Sequence, residues 1–217
     1  LHKIRTVFKK TGRAKYISHL DLQRFMLRAF KRSGLPIWYT EGYNPQPYVA
    51  FALALSLGFE SECELMDFQL NEEVPYVEIV KRLNGVMPEG IEFISAFEPK
   101  SKVKEIVRAS YSVEIDAPDV DGVITKFQEF MQSEKIPVEK KTKKGKSEID
   151  IKPHAEVDGV KAYDRGFSFG LNMPAGTQVN YNPQLFIGAF KDACGIEFEA
   201  VRICRTAILC ENGKNFE

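Results

Sequence analysis

An α+β fold of two tandem ferredoxin-like units is what the sequence predicts, each a split βαβ with an antiparallel sheet and its helices on one face. Three observations carry this expectation. The 217 residues suffice for two units of roughly 100 residues each. The order strand, helix, two strands, helix, strand reads twice in succession. Helical segments repeat apolar residues at three- and four-residue spacing while strand segments alternate, so each element offers one apolar side to a shared core. The joint falls near residues 98–104, where Pro99, Ser101 and three lysines gather, and it divides the chain into 1–100 and 101–217.

In the first half, residues 3–10 alternate Ile4, Thr6 and Phe8 with Lys3, Arg5 and Val7, the pattern of a strand. A polar loop with Gly12 follows. Ser18 and Asp21 then have the form of a capping box: the hydroxyl accepts from an N–H three residues on, and the acid reaches back. Leu22, Phe25, Met26, Ala29 and Phe30 repeat at helical spacing up to Arg32, and Ser33-Gly34 stops the helix, with Pro36 beyond. Residues 35–39 read as a strand and 41–47 as a rigid loop held by Gly42, Pro45 and Pro47. The apolar run 48–57 reads as a buried strand and the alternating run 64–70 as another, together one broken hairpin arm. Residues 75–83 form a helix with proline in its first turn, and 91–97 a closing strand.

The second half follows the same order. Residues 109–116 alternate as a strand, and 121–133 form a helix that buries Val123, Ile124, Phe127 and Phe130. Strands at 138–141 and 148–152 flank a basic tip, Lys143-Lys144-Gly145-Lys146. A strand at 163–171, a helix at 182–194 with Pro183 at its start, and a strand at 201–210 complete the unit. Tyr-Asn-Pro-Gln occurs at residues 43–46 and 181–184 before different elements, which makes a chance repeat the simpler reading.

Composition excludes several classes. At 44% hydrophobic and 28% charged residues the chain is neither disordered nor fibrous. No apolar run approaches the roughly 20 residues of a membrane helix, and no signal-peptide core is present near residue 1. Cys63, Cys194, Cys204 and Cys210 are too few and scattered for a disulfide scaffold, so a reducing cytoplasm is the expected setting. The zero net charge hides an asymmetry: residues 1–40 carry +9 and residues 41–100 carry −8. Either the first segment forms an anion-binding face or the two segments pair within one fold.

Several motifs together resemble one family. The run Tyr16-Ile17-Ser18-His19-Leu20-Asp21-Leu22, the triplet Arg28-Ala29-Phe30 and the loop Gly42-Tyr43-Asn44-Pro45-Gln46-Pro47 are similar to those of the bacterial radical-SAM-linked proteins, a domain of unknown function. Leu55-Ser56-Leu57-Gly58, Glu64, Leu83-Asn84 and Met87-Pro88-Glu89-Gly90-Ile91 agree. The resemblance covers residues 3–97 and is diffuse beyond. It implies a radical SAM protein, fused or encoded alongside, as the partner, and it implies no established activity. The family pattern commonly has histidine where this chain has Gln46. An iron–sulfur cluster and S-adenosylmethionine are expected only in that partner, because a catalytic [4Fe–4S] cluster needs three closely spaced thiolates. Here no C-x-x-C exists and no metal site is expected. Cys204 and Cys210 share a strand face as small hydrophobes do.

The candidate site is a basic one. Arg24, Arg28 and Arg32 recur every four residues and line one helix stripe beside Lys31, and Arg13 and Lys15 extend it from the preceding loop. A spaced row of guanidinium groups matches a polyanion better than a single ligand. The ordinary alternative is a solvated face. Trp38, Tyr39, Tyr43 and Tyr48 flank the loop, where they either stack splayed bases or close the core. Asn44 either reads a base edge or closes an Asx-turn before Pro45. With the radical SAM partner that the resemblance implies, these residues give the expectation of an accessory protein that binds structured or single-stranded RNA and presents it to that partner, with no catalytic activity expected of it alone. Two alternatives stand beside it. One is a metal-independent endoribonuclease with His19 as general acid or base, as in the tandem ferredoxin-like CRISPR repeat-processing nucleases whose layout this resembles. The other is a protein–protein docking module without RNA. For His19 the structural reading is a contact within the helix cap or with the 42–47 loop.

Overall fold

The computed structural model describes residues 1–142 and 145–217, so the lysines expected at the basic tip, Lys143 and Lys144, lie outside the described residues. The fold is mixed α+β and divides into two compact units, Leu1–Glu105 with Asn215–Glu217, and Ile106–Lys214. The joint, after Glu105, thus lies one residue beyond the 98–104 stretch, and the last three residues belong to the first unit.

The first unit runs β1 (His2–Lys10), α1 (His19–Ser33), β2 (Val49–Phe51), β3 (Glu60–Leu70), α2 (Tyr76–Asn84) and β4 (Ile91–Phe97). Its strands lie in the order β4-β1-β3-β2, with every pairing antiparallel. Alternation along β1 turns Ile4 and Phe8 to one face, where they meet Met66, Phe68 and Phe93 from neighbouring strands. Leu22, Met26 and Phe30 of α1 and Ile79 and Leu83 of α2 belong to the same buried cluster, so both helices cover that face. Helix α1 begins and ends where its local chemistry dictates. The Ser18 hydroxyl accepts from the Asp21 N–H at 3.1 Å and donates to the Asp21 carboxylate at 2.7 Å, and Gly34 closes the helix at φ +68°.

Three strand expectations need correction. Residues 35–39 form no strand: Ile37 bridges to Leu70 and Tyr39 to Pro47, each in isolation. Val49 of β2 pairs with Phe68, so β2 already occupies the edge of β3 that the chain beyond Trp38 would need. The run 48–57 is a strand only at Val49–Phe51. Beyond it Ala52, Leu55 and Phe59 are buried in irregular chain, which an apolar run without alternation cannot distinguish from a strand. Strand β3 begins at Glu60, ahead of the expected residue 64.

The second unit runs β5 (Ile106–Asp116), α3 (Val120–Gln132), β6 (Pro137–Thr142), β7 (Gly145–Asp150), β8 (Glu156–Tyr163), β9 (Gly166–Pro174), α4 (Pro183–Cys194) and β10 (Ala200–Cys210). Its main sheet has the order β10-β5-β9-β8, again antiparallel, and β6-β7 form a separate hairpin. The strand expected at 163–171 begins only at Gly166, and a further strand, β8, precedes it across the Asp164–Arg165 turn. Strand β8 carries no apolar alternation because it is a mostly exposed edge. Phe127 sits at the centre of the core, with ring centroids 4.7 Å from Phe169, 5.0 Å from Phe190 and 5.1 Å from Phe167. Phe167 and Phe169, two residues apart on β9, thereby place α3 and α4 on one face.

A polar lock holds the β5 end against the β8–β9 turn. Arg202 donates to both oxygens of the buried Asp116, at 2.9 and 2.7 Å, Tyr163 Oη donates at 2.6 Å, and Arg165 at 3.2 Å. These donors stabilise the charged carboxylate and hold Asp116 far below the usual carboxylate range, Arg202 contributing most and Tyr163 next. Burial, with the Asp116 hydrogen bond and charge beside it, pushes the Tyr163 phenol up to about 12.

Candidate nucleic-acid interface

The charge asymmetry of the first unit resolves in two ways. Part of it is spent inside the fold. Arg5 is buried and meets Asp67 through two hydrogen bonds of 2.7 Å, donates to the Ser101 carbonyl at 3.0 Å, and lies 4.1 Å from the centre of the Phe216 ring. Lys10 is buried as well and donates to the Lys15 carbonyl at 3.3 Å. Burial pushes its ammonium down from the ordinary lysine range, against the pull of the Glu64 charge. Lys15, expected to extend the basic stripe, instead meets Glu60 at 3.3 Å. A carboxylate from the acidic segment has taken it, and this pairing removes Lys15 from the free cations.

The rest of the positive charge stays on the surface of α1. Arg24, Arg28, Lys31 and Arg32 are all exposed. Arg24 pairs with Asp21 of its own helix at 3.6 Å, an exposed contact at i,i+3 that leaves most of the guanidinium open to solvent. Arg28 and Arg13 have no ion-pair or hydrogen-bond partner among the described residues. Arg32 does not continue the line. It turns to the Val86 carbonyl at 3.4 Å and over the Phe25 ring at 5.7 Å. Lys31 lies on the other shoulder, its ammonium 6.0 Å over the Tyr39 ring. The cations that α1 leaves open along this stripe are therefore Arg24, Arg28 and Lys31.

Lys31 brings the aromatic loop to this surface. Trp38 N–H donates to the Gln69 carbonyl and Tyr48 N–H to the Trp38 carbonyl, at 2.8 and 3.2 Å. The chain thus touches the edge of β3 at Trp38 and joins it as β2 at Val49, with residues 39–48 as an arm between. Thr40 and Gln46 close the arm's stem: Thr40 N–H donates to the Gln46 carbonyl at 2.9 Å, and Gln46 N–H to the Thr40 hydroxyl at 3.2 Å. Gly42, at φ +127°, supplies a turn that other residues adopt only with strain. Tyr43 at the tip is wholly exposed. The Asn44 side chain closes no backbone turn; its Oδ1 accepts from Gln46 Nε2 at 3.1 Å. Nothing local in the sequence marks Gln46 as the partner of Asn44; the pairing needs the folded arm.

His19 lies away from the stripe. Five residues before Arg24, it sits roughly 140° round the helix, half-buried, with its ring edge-on to Phe51 at 5.1 Å. No hydrogen-bond partner for it occurs among the described residues. No three His, Cys, Asp or Glu side chains gather as metal ligands among the described residues, and none of the described helices is long and apolar enough to cross a membrane. A cleft of about 960 Å³ elsewhere in the unit, bordered by Lys3, Val74 and Tyr76, contains none of the stripe or arm residues.

Comparison with known proteins bears on the fold and the family. No curated protein matches the sequence. Among solved structures, a chain of the crystal structure of a Cbf5-Nop10-Gar1 complex is similar, with a TM-score of 0.50 and 10% identity over 94% of this chain and 48% of that one. This chain thus spans about half the length of that one, and the likeness concerns the fold alone. The family described as uncharacterized protein conserved in bacteria (DUF2344) matches residues 3–178, which takes in the basic helix, the arm and most of the second unit. By that match the chain belongs to DUF2344, a family of uncharacterized bacterial proteins.

Proposed function

We propose that the chain is built of two tandem ferredoxin-like units and that the first binds RNA, as a cytoplasmic accessory that presents its substrate to a radical SAM enzyme. The strand orders β4-β1-β3-β2 and β10-β5-β9-β8, each interleaved with two helices, support the fold reading. The radical SAM partnership rests on the family resemblance of residues 3–97. The RNA reading rests on one observation: the acidic segment claims Arg5 and Lys15 but leaves the α1 stripe open, with Arg28 and Arg13 unpaired among the described residues. Cations on consecutive turns of a helix, about 6 Å apart along its axis, suit a chain of phosphates.

Anisotropy of short fluorescent oligoribonucleotides across about 50–200 mM salt is the test. About three phosphate contacts to a single strand give a log–log salt slope near −2, and Arg24→Glu/Arg28→Glu reduces it by about 1.4. Salt-independent binding, or a double variant with unchanged slope, refutes the reading.

A docking module without RNA is a second reading, favoured by Tyr16, Leu20 and Leu57. All three are more than half exposed at the start of α1, where Gly58 N–H donates to the Lys15 carbonyl at 2.9 Å. It predicts retained partner binding and no RNA affinity. Cleavage by His19 predicts metal-independent RNA hydrolysis abolished by His19→Ala, and the ring's packing on Phe51 lends it no second base.

A further inference from the structure

We propose that the tip of the arm is a seat for one unpaired base, with Tyr43 as its stacking face and Asn44, oriented by Gln46, as the reader of the base edge. The proposal rests on the RNA reading above and narrows it to single-stranded RNA.

The arm is built to hold its tip still. Both ends of the tip are fastened through Thr40 and Gln46, with hydrogen bonds of 2.9 and 3.2 Å. Pro45 and Pro47 fix two more backbone angles. At this held tip Tyr43 makes no ring contact or hydrogen bond among the described residues. Both ring faces are open. Bases inside a duplex already stack on their neighbours, so an aromatic face presented in this way can be used only by a base that is unpaired.

Next along the chain from Tyr43, the bond from Gln46 Nε2 to Asn44 Oδ1 uses one donor and one acceptor lone pair. The Asn44 NH₂ group and the second lone pair of its Oδ1 remain, a donor and an acceptor on one amide. That pair complements the donor–acceptor array along a base edge. Without Gln46 the Asn44 amide would rotate freely and present no defined pattern. Gln46 is thus a positioning residue. The contact of Lys31 with Tyr39 ties the arm's stem to the helix that carries the cation row, so one strand can lie along α1 and turn a base onto the tip.

The experiment compares the full chain on fluorescent single-stranded oligomers of A, C and U and on a duplex RNA of equal length, across salt. Tyr43→Ala is expected to lose about 5-fold or more in single-strand affinity, with the salt slope and duplex affinity unchanged. Gln46→Ala is expected to level the preference among the three oligomers, and Gln46→His, which keeps an N–H for Asn44, to retain it. Equal loss on duplex and single strand, or no loss from Tyr43→Ala, overturns the proposal. If Arg24→Glu/Arg28→Glu abolishes binding while both arm variants match the wild type, the base seat fails and the RNA reading stands. If the wild-type chain binds no RNA, both fail.

Discussion

Replacing Asp67 with alanine removes the carboxylate from a guanidinium that has almost no access to water. The Arg5 side chain is 2% exposed and that of Asp67 is 22% exposed. Their two 2.7 Å bonds satisfy one edge of the fork, while the Ser101 carbonyl and the Phe216 ring occupy the rest. Breaking a buried pair from one side costs about 3–5 kcal/mol, because the remaining charge stays desolvated and unpaired. Water can enter through the exposed part of Asp67, which places the expected cost near the lower end, about 3 kcal/mol. For a chain of this size that corresponds to a melting temperature lower by about 6–12 °C. Replacing both partners with apolar residues of similar volume, Arg5→Met/Asp67→Leu, removes the charge together with its partner and is expected to lie within about 1–2 kcal/mol of wild type. Urea denaturation followed by circular dichroism measures both. If Asp67→Ala unfolds within about 0.5 kcal/mol of wild type, or if the double variant is as unstable as the single one, the pair does not hold the unit in the way described.

The polar lock of the second unit makes stability depend on pH at both ends of the scale. Asp116 has its pKa depressed in the fold, so its contribution is present above the ordinary aspartate value of about 3.9 and is lost as pH falls below it. Asp116→Asn is expected to destabilise the unit at neutral pH and to flatten that acid limb in pH-dependent melts. Tyr163 is shifted the other way, up to about 12. Its contribution holds below the ordinary value of about 10 and disappears as pH rises through the folded value, and Tyr163→Phe is expected to remove this alkaline limb. Ser18→Ala deletes the cap of α1 and is expected to cost about 1 kcal/mol, measurable in the same denaturation assay.

Several features of the molecule were legible because neighbouring residues encode them. Ser18 and Asp21 begin α1 by contacts spanning three residues, Gly34 ends it by its own left-handed backbone, and the apolar stripe Leu22, Met26 and Phe30 follows from helical periodicity alone. The strand β4 was readable for the same reason, since its inward residues alternate with exposed ones. Elements without such a signal were not. Strand β8 owes its existence to hydrogen bonds with β9, and its exposed side chains leave no trace of that pairing in the sequence. The two Tyr-Asn-Pro-Gln segments show the limit in the other direction: one lies in the arm between α1 and β2, the other caps and begins α4, so identical words serve non-equivalent places.

By itself the sequence determined that a basic amphipathic helix and a proline-bound aromatic loop would exist, because spacing, caps and turn residues act over a few positions. Which cations remain available was decided only by the tertiary structure. Arg5 and Lys15 find Asp67 and Glu60 across 62 and 45 residues, while Arg28, on the same basic segment, finds no acid among the described residues. Charge pairing depends on distance in space, and the distance between remote residues is a property of the folded chain.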